Sequence, residues 1–123
     1  MGDKAVQTVP LEDVIPTGRL TIVDADVPAD EYEMSPGIHN LYCNLADDSD
    51  TIVYLPALAE SVGGLYSVYV IAVDAGNKVT VKSAKSDPQT LNTSVSVDLA
   101  AATYFGLWYN TGLQWKLICS HTS

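Results

Sequence analysis

The sequence is poor in the residue types that most often carry chemistry or bind polyanions. Six lysines and arginines stand against fifteen aspartates and glutamates in 123 residues, a formal net charge of −9. Phosphate binding needs clustered cations, so nucleic acid is not an expected partner, and an anionic membrane surface is disfavoured for the same reason. There are two histidines, His39 and His121, without HExxH or any other paired-ligand spacing. The two cysteines, Cys43 and Cys119, form no CxxC motif. They read as buried, reduced thiols of a chain made in a reducing cytoplasm, with a disulfide between them left open. Neither a GxSxG elbow nor a phosphate-cradling GxxxxGK[ST] or GxGxxG is present. No apolar run approaches the ~20 residues of a membrane span. The polar stretch from Met1 to Val9 lacks a signal-peptide core, which predicts a chain that is not exported through a cleaved signal.

Carboxylates are abundant but badly placed for catalysis. Asp24, Asp26, Asp30, Glu31 and Glu33 crowd residues 24–36, DADVPADEYEMSP, and Asp47, Asp48 and Asp50 follow nearby. A glycosidase pair needs one acid held on a rigid element with its pKa raised by burial. A dense acidic loop offers neither, and it reads as a solvated loop. Hard oxygen ligands for Ca²⁺ are present, yet the EF-hand glycine and distal glutamate are missing. The expectation is therefore a non-enzymatic protein with no catalytic, cofactor-binding or metal residues.

What is there is strand and turn. A hydrophobic fraction of 47% rich in Val, Thr, Tyr, Ile and Leu suits pleated, half-buried surfaces. Residues 1–19 read as an extended arm broken by Pro10 and Pro16 and closed by Gly18. Residues 20–123 read as one β domain. Strands are predicted at Leu20–Val23, Leu41–Leu45, Thr51–Leu55, Leu65–Val73, Val79–Val81, Val95–Leu99, Tyr104–Tyr109 and Leu113–Cys119. Leu65–Val73 is apolar at nearly every position, which predicts cover on both faces. A short helix or 3-10 turn fits Pro56–Val62. Hairpins are predicted at Asp74–Asn77 and at Asn110-Thr111-Gly112, with Trp115 in the core. No helix-length segment separates the strands, so parallel βαβ crossovers are excluded. The fold expected is all-β, an antiparallel sandwich, jelly-roll-like, or a small barrel. Tyr66, Tyr69, Tyr104, Trp108 and Tyr109 lie in strands, and any that point outward could stack on sugars or meet another chain.

Charge divides the chain. Residues 1–60 hold twelve of the fifteen acids and two of the six bases, a balance of −10; residues 61–123 balance at +1. The run GGLYSVYVIAVDAGNKVTVKSA, then SVSVDL, then YFGLWYNTGLQWKLICS resembles the β-rich modules of phage capsid decoration proteins and of head or tail fibres. It covers about residues 51–119, including the hairpin with Gly112 just before Trp115. The resemblance implies a viral structural protein on the capsid surface, trimeric, without catalytic residues, that bridges major capsid protein subunits. A receptor- or glycan-binding head domain of a phage appendage is the alternative. Absence of a repeat or shaft favours decoration. The arm, 1–19, and the acidic loop, 24–36, are the contact regions it suggests.

Overall fold

The structure, a computed structural model, describes residues 18–87 and 96–122. Nine strands lie among them: β1 (Arg19–Ile22), β2 (Glu31–Glu33), β3 (Asn40–Asn44), β4 (Thr51–Tyr54), β5 (Leu65–Ala72), β6 (Val79–Lys82), β7 (Ser96–Leu99), β8 (Phe105–Asn110) and β9 (Trp115–His121). Two 3-10 turns, Asp24–Asp26 and Leu58–Glu60, are the only helical segments among the described residues, the second where a short turn was expected. The expected arm falls outside the described residues through residue 17. Its last residue, Arg19, instead opens β1.

Two sheets form, in the orders β1-β3-β5-β8-β9 and β2-β4-β6-β7. From β1 to β6 the chain alternates between them, so that each pair of consecutive strands makes one coil of a flattened winding. Within the first sheet β1, β3 and β5 are parallel, and within the second β2, β4 and β6 are parallel. Antiparallel pairing begins only with β6–β7, β5–β8 and β8–β9. The wholly antiparallel sandwich is therefore corrected to a mixed two-sheet fold, and neither sheet closes into a barrel. A parallel pair needs a long crossover, and a helix is the usual but not the necessary solution. Here the crossover is a strand in the facing sheet: residues 23–39, which join β1 to β3, contain β2.

The same winding corrects the hairpin expected at Asp74–Asn77. Those residues carry the chain from β5 in one sheet to β6 in the other, so the turn is a corner. The β8–β9 hairpin is present, and Gly112 takes the left-handed conformation expected of it (φ +94°). β8 runs one residue further toward the turn than expected, to Asn110, whereas β9 begins two residues later, at Trp115, and the connection comprises residues 111–114.

Side chains at alternate positions of both sheets point to one shared core. Leu20, Leu41 and Val68 align across the parallel strands, as do Ile22, Cys43 and Val70. Val53, Val79, Val81 and Leu99 face them from the other sheet, and Tyr66, Trp108 and Trp115 close the same cluster. Both tryptophans are fully buried, as expected for Trp115. Trp108 lies back over Gly106, where a Cβ would come within 2.3 Å of its ring. The other face of β5 is uncovered, contrary to expectation: Leu65 and Ile71 are exposed.

The acidic segment is also different from the solvated loop anticipated. Its middle residues form β2, and its carboxylates tie successive coils together. Asp24 accepts hydrogen bonds from the amides of Ala46 and Asp47 (3.0–3.2 Å), and Asp30 accepts one from the Ser49 hydroxyl (2.9 Å). One coil further on, Asp48 accepts from Asn77 Nδ2 (2.8 Å) and Asp50 from the Lys78 amide (3.0 Å). Such turn-capping bonds each contribute about 1 kcal/mol. Glu31 pairs with Lys85 at 2.8 Å, and this hydrogen bond holds its carboxyl below the usual range.

Candidate functional site

The outward face of the five-stranded sheet has the composition of a binding surface. Strand register places Thr21, Tyr42, Tyr69, Phe105 and His121 in one row across all five strands. Tyr42 meets Tyr69 edge-on at 5.9 Å, Tyr69 stacks with Phe105 at 6.4 Å, and Phe105 stacks with His121 at 6.2 Å. The Arg19 guanidinium lies 4.7 Å from the centre of the Tyr42 ring. A neighbouring row contains Arg19, Asn40, Ser67, Leu107 and Cys119, and beyond it lie Leu65, Tyr109 and Lys116. These three rows hold no carboxylate, in a chain of net charge −9. The carboxylates of residues 24–50 go instead to the coil corners and the outer face of the smaller sheet.

An open groove of about 550 Å³ crosses this face, lined by His39, Asn40, Gly63, Gly64, Leu65 and Leu107. Its polar groups are held in place. Ser67 Oγ donates to Asn40 Oδ1 at 2.9 Å, His39 Nδ1 lies 2.9 Å from the Leu65 carbonyl, and the His39 ring stacks on Tyr66 at 4.4 Å. Gly64 has no room for a side chain, since a Cβ would sit 2.6 Å from Tyr66 Cε1.

At one end of the groove the chain exposes apolar residues on a rigid support. Val62, Leu65 and Leu113 are 63%, 51% and 87% exposed. The support is Asn110, whose side chain is fully buried. Its Nδ2 donates to the Leu58 carbonyl and to Ser61 Oγ, both at 2.9 Å, while Oδ1 accepts from the Gly112 amide at 2.7 Å. The Asn110 backbone bonds Gly63 and Gly64 as well. The loop 58–64 and the hairpin tip are thereby tied together, so the backbone that carries Val62 and Leu113 has little freedom left to lose on contact.

The residues singled out from sequence divide between core and surface. Tyr66 and Trp108 are buried, whereas Tyr69 and Tyr109 face outward and are half-exposed. Tyr104 packs edge-on against His121. Both histidines are ring-stacking partners, His39 of Tyr66 and His121 of Phe105. Cys43 is buried, and burial pushes its thiol up to about 12. Cys119, expected to be buried, is exposed on the outward side of β9, and the two thiols are not bonded. Among the described residues no group of three or more His, Cys, Asp or Glu is gathered as a metal cluster, and no helix is long and apolar enough to cross a membrane. Asn40, Ser67 and Asn110 were missed in the sequence. An isolated polar residue in a strand carries no local signal of the network it will join.

Comparison with family models, with curated proteins and with solved structures gives no match to this chain.

Proposed function

We propose that this protein is a non-enzymatic structural protein of a virus particle, a phage capsid decoration protein that binds and bridges major capsid protein subunits on the outside of the shell. The observation that carries the binding role is the acid-free aromatic face of the five-stranded sheet, with its rigid apolar tip at Val62 and Leu113. Patches of this kind, rimmed by polar groups, mark interaction sites. The capsid as partner rests on the resemblance of residues 51–119 to decoration modules, as does a trimeric state. Stabilisation of the shell would follow from mass action, since the protein binds assembled subunits and not dissociated ones.

Co-sedimentation with capsids lacking the protein tests this reading. Saturable binding that raises the capsid's melting temperature is the expected result. The double substitution Tyr69→Ala and Phe105→Ala weakens binding about 30-fold or more if these rings are anchors. Unchanged binding by that variant removes the aromatic face from the interface. A second reading, a glycan-binding head domain, is favoured by Asn40, Ser67 and His39 beside the aromatic row. Binding on a glycan array with none to capsids would establish it in place of the first.

A further inference from the structure

We propose that the groove on the five-stranded sheet receives an extended segment of a partner protein, with two carboxylates about six residues apart and apolar side chains between them. The inference rests on the binding role proposed for this face, but not on the capsid as the partner. Its basis is where the cations stand. Among the described residues the ion pairs use Lys78 and Lys85, beside the smaller sheet, and none uses Arg19 or Lys116. Arg19 and Lys116 are both exposed, and they bracket the groove. Arg19 is paired with Asn40 at the β1 end, and Lys116 on β9 is paired with Tyr109, which in turn faces Leu65.

The spacing of the two cations sets the spacing of their partners. From β1 to β9 there are four strand intervals of about 4.8 Å, and the cations are offset by one row, about 7 Å along the strands. They therefore stand about 20 Å apart. An extended chain advances about 3.3 Å per residue, so carboxylates at positions i and i+6 reach both. With a side-chain period of two, those carboxylates point the same way as the residues at i+2 and i+4. The latter two meet Leu65 and Leu107 on the apolar stretch between the cations, where Gly63 and Gly64 leave the groove open. His39 Nδ1 donates to the Leu65 carbonyl, so Nε2 of the neutral ring is the atom placed to accept from a backbone amide of the segment. Elsewhere a chain of net charge −9 repels such a segment, whereas these rows hold no carboxylate. Nucleic acid fits poorly, because two cations this far apart are too sparse for a backbone with one charge per about 1.7 Å of helix axis.

The test is an NMR titration of the full chain with three peptides capped at both ends. They are ETLTLTE, its neutral counterpart QTLTLTQ, and ETETLTL, which has the same composition with its acids close together. The expected result is saturable shifts at the amides of residues 39–40, 64–67 and 107–109, with ETLTLTE binding about fivefold or more tightly than either control. Arg19→Gln combined with Lys116→Gln should abolish that preference, and both sites are exposed, so the core is untouched. Salt at about 0.5 M should abolish it in the parent, since exposed charges are screened. No saturable binding at these residues, equal affinity for the three peptides, or a preference that survives the double substitution overturns the proposal. The assay contains no capsid, so a failure here is distinct from a failure to co-sediment with capsids.

Discussion

Replacing Asn110 with alanine tests how the apolar tip is held. The side chain is fully buried and makes three hydrogen bonds, to the Leu58 carbonyl, Ser61 Oγ and the Gly112 amide. Ser61 keeps its bond to the Ala57 carbonyl, so it is not orphaned. The buried Leu58 carbonyl loses the Asn110 donor but keeps the Ser61 amide at 3.2 Å. Gly112 is half-buried, so water partly replaces what its amide loses. Three hydrogen bonds are lost at about 0.5–1.5 kcal/mol each, for a total of about 2–4 kcal/mol. For a chain of this size that lowers Tm by about 10 °C. The strand pairing survives, because the Asn110 backbone still bonds Gly63 and Gly64. Urea titration followed by tryptophan fluorescence measures the loss directly, since both indoles are buried and report global unfolding. Leu113→Ala, at an exposed site of the same tip, serves as the control and stays within about 0.5 kcal/mol. A loss below 1 kcal/mol for Asn110→Ala would show that the buried network does not hold the tip, and the rigid-support argument would fall with it.

Other perturbations read other parts of the fold. Gly106→Ala drives a methyl group into the Trp108 ring and costs about 1–3 kcal/mol in denaturant titration, with a change in tryptophan emission; parent-like stability would mean the ring is not lying over Gly106. Asp24→Ala removes the acceptor for two amides of the next coil and costs about 1 kcal/mol in the same titration. In native buffer a thiol reagent should modify one cysteine, Cys119, and reach Cys43 only in denaturant, because burial both shields that thiol and keeps it protonated. Glu31 has its pKa depressed by Lys85, so the pairing contributes at pH above the ordinary value of 4.5 and fades as pH falls through the lowered one. Melting curves of Lys85→Met should therefore lie below the parent at pH 6, and the gap should narrow as pH falls below 4.5.

Much of the local structure is legible in the chain. Alternation at Leu41, Cys43 and Leu45 and the apolar run from Leu65 locate strands because the side-chain period of two is a property of each segment alone. Asn110, Thr111 and Gly112 announce a turn because glycine alone accepts the left-handed backbone cheaply. β2 escaped notice, since its three residues, Glu31, Tyr32 and Glu33, offer one apolar side chain and lie in an acidic, proline-flanked stretch. The coil-to-coil hydrogen bonds of Asp24, Asp30, Asp48 and Asp50 were equally hidden, because each partner lies 19 or more residues away.

The sequence by itself determined that this protein is all-β, that its apolar residues alternate, and that its carboxylates gather in the first half. Which strands pair, and in which direction, was decided only in the tertiary structure. A run of inward and outward residues fits a parallel or an antiparallel neighbour equally well, and a crossover through a facing sheet looks locally like any other turn. The aromatic face has the same origin. Tyr42, Tyr69, Phe105 and His121 are scattered along the chain, and they become one row only when the winding sets β3, β5, β8 and β9 side by side.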